Sequence, residues 1–142
     1  TELPKTLDEL EAAAQAIEAA GYTAFGTGYG EWWVNGLHLM NIPFARQEDP
    51  QAFLDAMYAG EEQMAGNPNF VALQQLMDIN IANGEDNPLT TDNRVQVELF
   101  VNGEVAMIQQ GNWKEKDILE ANPDMEIGLL PMPPRRSGSG NG

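Results

Sequence analysis

The chain of 142 residues carries 22 acidic and seven basic side chains, a formal charge of −15 at neutral pH, with 42% apolar residues. That length fits one domain with a real core, the apolar content argues against a disordered acidic chain, and the charge argues against nucleic acid and anionic membrane surfaces as partners. The absence of cysteine removes disulfides, thiolate nucleophiles and cysteine-based zinc sites, and no apolar run approaches the roughly 20 residues of a membrane span.

Thr6, with Glu9 three residues on and Pro4 before it, predicts a capped helix in which Leu10, Ala13, Ala14 and Ile17 recur at helical spacing until Gly21 stops it. Residues 22–27 are aromatic and β-branched at several positions and are followed by glycines at 26, 28 and 30, the pattern of a buried strand opening into a tight loop. Glu31, Trp32 and Trp33 then lead into a short apolar helix through Met40, and Asp49-Pro50 starts another that carries Phe53, Leu54 and Met57.

Between 68 and 82 a helix is expected with Phe70, Leu73, Met77 and Ile81 on one face, closed by Asn83-Gly84. Thr90 or Thr91 is the expected cap of the next, with Val95, Leu99 and Phe100 inward, before Asn102-Gly103 turns the chain. A second buried strand is expected at 105–109, ending at Gly111-Asn112-Trp113, then a helix at 114–121 stopped before Pro123, then a third strand at 126–130. Helices alternating with short strands predict an α/β domain with a short, mainly parallel sheet flanked by helices on both faces. Residues 135–142 hold both serines of the chain and no apolar side chain, the composition of a flexible linker outside the folded segment 1–134.

Little in the chain offers catalysis. Both serines lie in the tail, and the single histidine, His38, sits among Leu37, Leu39 and Met40, where a packed or surface role is expected. Residues 86–92 supply oxygen ligands without the spacing and central glycine of a calcium loop, so capping is their better use. Glu31 stands where a phosphate loop would carry its third glycine and would repel a phosphate. No cofactor or metal is expected.

What stands out is a set of flat, amphipathic side chains at two strand ends: Tyr29, Trp32 and Trp33 after the first, Trp113 after the second. Sugars present C–H patches on a ring face and hydroxyls at its rim, so aromatic faces joined by planar polar groups suit them, and Glu31, Gln109, Gln110 and Asn112 supply those groups. Ligands of open α/β sheets gather beyond the carboxyl ends of the strands, where both clusters fall. The competing reading is that these aromatics fill a core. A glycoside hydrolase using Glu31 is the alternative function, since that carboxylate lies beside the aromatic loop residues. A scaffold fragment without ligand binding is the other.

The segment Pro4-Lys5-Thr6-Leu7-Asp8-Glu9-Leu10 resembles the Pro-x-Thr-Trp-Asp-Glu-Leu start of a helix in the family 1 extracellular solute-binding proteins of carbohydrate ABC importers. Residues 100–107 resemble their Phe-x-x-Gly-Lys/Glu-Ala-Ala-Met segment, Gly111-Asn112-Trp113 is similar to their Gly-x-Trp, and residues 127–133 to the strand that returns to the hinge. The pieces match in order and spacing from residue 1 to about 134; Leu7 departs, standing where the family often has tryptophan.

The resemblance implies one lobe of a type II periplasmic-binding-protein-like fold. It implies a partner lobe N-terminal to this one, a sugar held in the cleft between them, ABC permease subunits as partners, and an extracytoplasmic location in the periplasm or at a lipid anchor. By that resemblance the chain is the first continuous part of a C-terminal lobe, and self-association through uncovered apolar surface is expected. Trp113 resembles the stacking tryptophan of the sugar site, and Glu31 with its aromatic neighbours resembles the acid-and-aromatic loop facing the same cleft.

Overall fold

The Thr6 hydroxyl accepts the Glu9 amide at 3.2 Å while the Glu9 carboxylate accepts the Lys5 amide at 2.7 Å, and this reciprocal cap starts α1, Leu7–Ala19. In the computed structural model, which describes residues 2–138, α1 buries Leu7, Leu10 and Ala14, and the chain leaves it through Gly21 at φ 88°. The buried side chains lie three and four residues apart and form one apolar stripe against β1, Thr23–Gly26.

β1 pairs in parallel with β2, Val105–Ile108, with Thr23 opposite Val105 and Phe25 opposite Met107. The other edge of β1 is closed at Phe25, whose amide donates to Asn83 O and whose carbonyl accepts from the Glu85 amide, forming a bridge with Gly84. β1 is therefore the interior strand, and Ala24 and Phe25 are both buried. Parallel strands need a long crossover, and everything between residues 27 and 104 supplies it.

The sheet differs from expectation at its third segment. Among the described residues it has two strands, and 126–130 runs in extended irregular form with Leu129 77% exposed. Pro131, Pro133 and Pro134 have no N–H to give a ladder, and the stretch is held instead by Arg46, which donates to the carbonyls of Met132 at 3.0 Å and Pro134 at 3.4 Å. A cleft of about 420 Å³ lies between this stretch and β2.

The helix expected to end at Met40 begins with a π-helical turn, Val34–Leu39, and runs on as α2, Met40–Ala45, with Pro43 inside it. α3, Pro50–Ala59, and α4, Pro68–Ala82, start at prolines capped by Asp49 and Asn67. On α4 the buried residues are Ala72, Leu73, Leu76, Ile79 and Asn80, so that of the expected row only Leu73 is fully buried. Phe70 turns aside to stack with Phe44 of α2 and Phe53 of α3, at ring separations of 5.1 and 6.1 Å, and Ile81 is exposed. The neighbour, not the periodicity alone, chose the face.

α5, Asn93–Val101, is capped by Asp92, which accepts the Val95 amide at 2.8 Å. Thr90 and Thr91, the expected caps, instead direct their hydroxyls to Asn87 O around a 3₁₀ turn at Pro88–Thr90. The fully buried residue of α5 is Gln96, while Val95, Leu99 and Phe100 are half-buried. After β2 a 3₁₀ turn at Asn112–Lys114 leads into α6, Glu115–Ala121.

Residues 135–137 do not behave as the expected linker. The Leu7 amide donates to Arg135 O, the Arg136 guanidinium meets Asp8 at 2.7 Å and Glu11 at 2.8 Å, and the Ser137 amide and hydroxyl both donate to Asp8. The Ser137 hydroxyl and the Arg136 guanidinium hold the Asp8 carboxyl down to about 2. Residues 139–142 of the expected tail lie outside the described residues.

Candidate functional site: an aromatic cluster at the strand ends

The loop leaving β1 is built on buried polar contacts. Thr27 donates from its amide and its hydroxyl to the two oxygens of Glu85, each at 2.8 Å, and the Gly28 amide adds a longer third contact. Gly28 has φ +65°, and a Cβ there would come within 2.8 Å of the Gln96 side chain, so glycine is required on both counts. Gln96 in turn donates to Gly26 O at 2.8 Å and accepts Gln110 Nε2 at 2.7 Å, tying the end of β1 to the end of β2.

The expected site residues divide. Tyr29 is a core residue: it is 4% exposed, its hydroxyl accepts from Asn80 at 3.0 Å, and burial pushes its phenol above the ordinary value. The expectation of an exposed, sugar-facing Tyr29 is corrected by this burial in the core. Glu31 accepts the Asn93 amide at 3.2 Å and so pins the aromatic loop to the first residue of α5. Its carboxylate is both a strut and the acid nearest the tryptophans in sequence.

Trp32 is 72% exposed, Trp33 half-buried and Trp113 58% exposed. Trp33 and Trp113 come from different strand ends and are joined through His38, whose ring centroid lies 5.1 Å from Trp33, edge to face, and 5.2 Å from Trp113, tilted by 54°. The Trp113 indole folds back over Gly111, where a Cβ would overlap its six-membered ring.

Asn112 is exposed beside Trp113, whereas Gln110 turns inward, donating to Asn93 Oδ1 at 3.1 Å as well as to Gln96. The side-chain oxygens of Gln109 and Gln110 are buried without a hydrogen-bond donor. Gln109, Gln110 and Asn112 also line the 420 Å³ cleft, but none of the tryptophans does, and its other walls include Met107, Ile108, Ile118, Ile127 and Leu130. Walls so largely aliphatic suit apolar side chains better than a sugar. The aromatic cluster is therefore the better candidate site.

Among the described residues no group of three or more His, Asp or Glu side chains gathers to hold a metal ion. Sequence reasoning missed Glu85 and Gln96, and read His38 as a packed or surface residue without its place between two indoles. Only His38 carried a usable signal: it stands five residues after Trp33, a helical spacing that becomes meaningful in a π-turn.

The family described as bacterial extracellular solute-binding protein matches residues 1–140. No curated protein sequence matches the chain. Among solved structures, SBP RafE in complex with raffinose has the same fold at a TM-score of 0.75 and 24% identity, covering 96% of this chain and 37% of its own. A sugar transporter from Bacillus licheniformis in complex with stachyose gives a TM-score of 0.68 and 21% identity, again covering 96% and 37%. The chain thus spans 37% of the length of either, and its α/β architecture is that of a lobe of a periplasmic-binding-protein-like fold. With a family match along nearly its whole length, the chain belongs to the bacterial extracellular solute-binding proteins.

Proposed function

We propose that the chain binds carbohydrate through the platform of Trp33, Trp113 and Trp32, as part of the solute-binding component of an ABC importer. The observation that carries the reading is the convergence of two strand-end loops on one partly exposed aromatic cluster. Ring faces there suit the C–H face of a sugar, with Asn112 at the rim to meet hydroxyls. The two similar structures are complexes with raffinose and stachyose, which favours an oligosaccharide of that kind as the ligand. In this reading the chain contributes one wall of a two-walled cleft, and a second lobe and membrane permease subunits are its partners.

The same reading makes it a binding module and not a catalyst. A glycosidase needs two carboxylates facing each other across the sugar, and Glu31, the acid nearest the tryptophans in sequence, is already engaged by the Asn93 amide. If each lobe supplies a comparable share of a micromolar binding energy of about −8 kcal/mol, this chain alone binds at roughly millimolar levels. Titration with raffinose, followed by indole N–H resonances, tests this: saturable shifts at Trp33 and Trp113 are expected, and an absence of saturable shifts at tens of millimolar raffinose contradicts it. Turnover of a chromogenic glycoside that disappears in Glu31→Gln would restore the hydrolase reading.

A further inference from the structure

We infer that His38 is a positioning residue of the aromatic site, the ring that fixes Trp33 and Trp113 relative to each other. Its functional consequence rests on the carbohydrate reading above; its structural consequence rests on ring geometry alone.

Trp33 and His38 are five residues apart, and in a regular α-helix that separation would rotate them about 140° from each other, onto different faces. A π-helical turn closes i to i+5 hydrogen bonds and holds more residues per turn, which brings such residues closer to one face. Val34–Leu39 is such a turn, with the Met40 amide donating to Asn35 O, and Trp33 is its N-terminal flank. Pro43, four residues beyond Leu39, has no N–H for the Leu39 carbonyl and its ring crowds that carbonyl in a regular helix. The widened turn ends at that residue, so the same irregularity that accommodates Pro43 brings His38 into edge-to-face contact with Trp33.

Trp113 stands on a short 3₁₀ turn beyond β2 and is more than half exposed, so few neighbours restrict it. Gly111 leaves room for the indole to fold back, and His38 meets it with a ring centroid at 5.2 Å. The imidazole is thus the ring that joins a side chain of the β1 loop to one of the β2 loop. Such ring contacts are directional as well as attractive, and an aliphatic or amide side chain in that place would not reproduce them. An indole held before the sugar arrives loses less freedom on binding, which appears as affinity.

The test uses the full chain, with His38→Ala and His38→Gln to remove the ring and His38→Phe to restore one. Without sugar, the indole N–H resonances of both Trp33 and Trp113 are expected to move in the Ala and Gln variants. With raffinose as the probe, those variants are expected to bind about fivefold more weakly than wild type, and His38→Phe to recover affinity to within about twofold, the range that one aromatic pair supplies. Indole resonances that stay in place without the ring overturn the inference, as does a loss of affinity that phenylalanine fails to recover. If wild type itself binds no raffinose, the carbohydrate reading falls, and the sugar-free resonances alone decide the role of His38.

Discussion

The loops that leave β1 and β2 end the same parallel sheet at the same edge, yet they are held by different forces. The first is fastened by hydrogen bonds to its own backbone: Thr27 and Gly28 to Glu85, the Gly30 amide to Thr91 O, and Tyr29 O to the Asn35 side chain at 3.0 Å. The second is held by side chains, with Gln110 reaching Gln96 and Asn93, and with Trp113 lying over Gly111 and against His38. Buried backbone bonds resist displacement because an unmade one costs the full desolvation of its donor. Side-chain contacts at a half-exposed indole cost far less to rearrange. One wall of the site is therefore set by backbone hydrogen bonds, and the other by side-chain contacts that cost less to break.

The largest effect expected from breaking this contrast is at Glu85. Glu85→Ala leaves the buried Thr27 amide and hydroxyl without their charged acceptor, and a loss of about 2–4 kcal/mol in urea denaturation is expected. A loss under about 1 kcal/mol would mean that the first loop is not anchored there. Trp113→Ala reverses the pattern: stability within about 0.5 kcal/mol of wild type, but raffinose binding weakened by about 1–3 kcal/mol, by analogy with stacking on other flat rings. Gly111→Ala is expected to act in the same direction by less, since its Cβ displaces the Trp113 ring without removing it. A changed tryptophan emission spectrum with an unchanged thermal midpoint would report that displacement.

The smallest effect is expected at the clasp between α1 and Arg136-Ser137. The folded Asp8 carboxyl is depressed to about 2 from an ordinary value of 3.8. Its contribution to stability is therefore complete above about pH 4 and is lost as pH falls toward 2, because the unfolded chain takes up the proton first. Thermal midpoints measured from pH 5 to pH 2 should fall more steeply in wild type than in Asp8→Asn, and parallel curves would show the clasp to be energetically silent.

Local signals in the sequence were enough for much of this architecture. The Thr6–Glu9 cap, the stop at Gly21 and the starts at Asp49-Pro50 and Pro68 each depend on a few adjacent residues, and they form as expected. β1 and β2 lie within the expected segments because each is a short apolar run bounded by turn residues. The failures share a cause in tertiary context. Ile127 to Leu130 reads as a strand, but the prolines after it and the pull of Arg46 keep it off β2. Gln96 looks like a surface residue until two strand ends need a shared amide. The exposure of Trp113 was legible from its place after a strand-end glycine, whereas Tyr29, equally aromatic and one residue from a glycine on either side, lies in the core, where Asn80 gives its hydroxyl a partner.

The most direct test of the central claim is a raffinose titration of the full chain with the three indole N–H resonances assigned. The account predicts saturable shifts at Trp33 and Trp113, with the Tyr29 ring and the methyl groups of Met107 and Ile127 unmoved, since the phenol is sealed in the core and those methyl groups line the aliphatic cleft. Shifts confined to Met107 and Ile127 with all three indoles silent would contradict it, and would place the ligand in the cleft beside β2 instead.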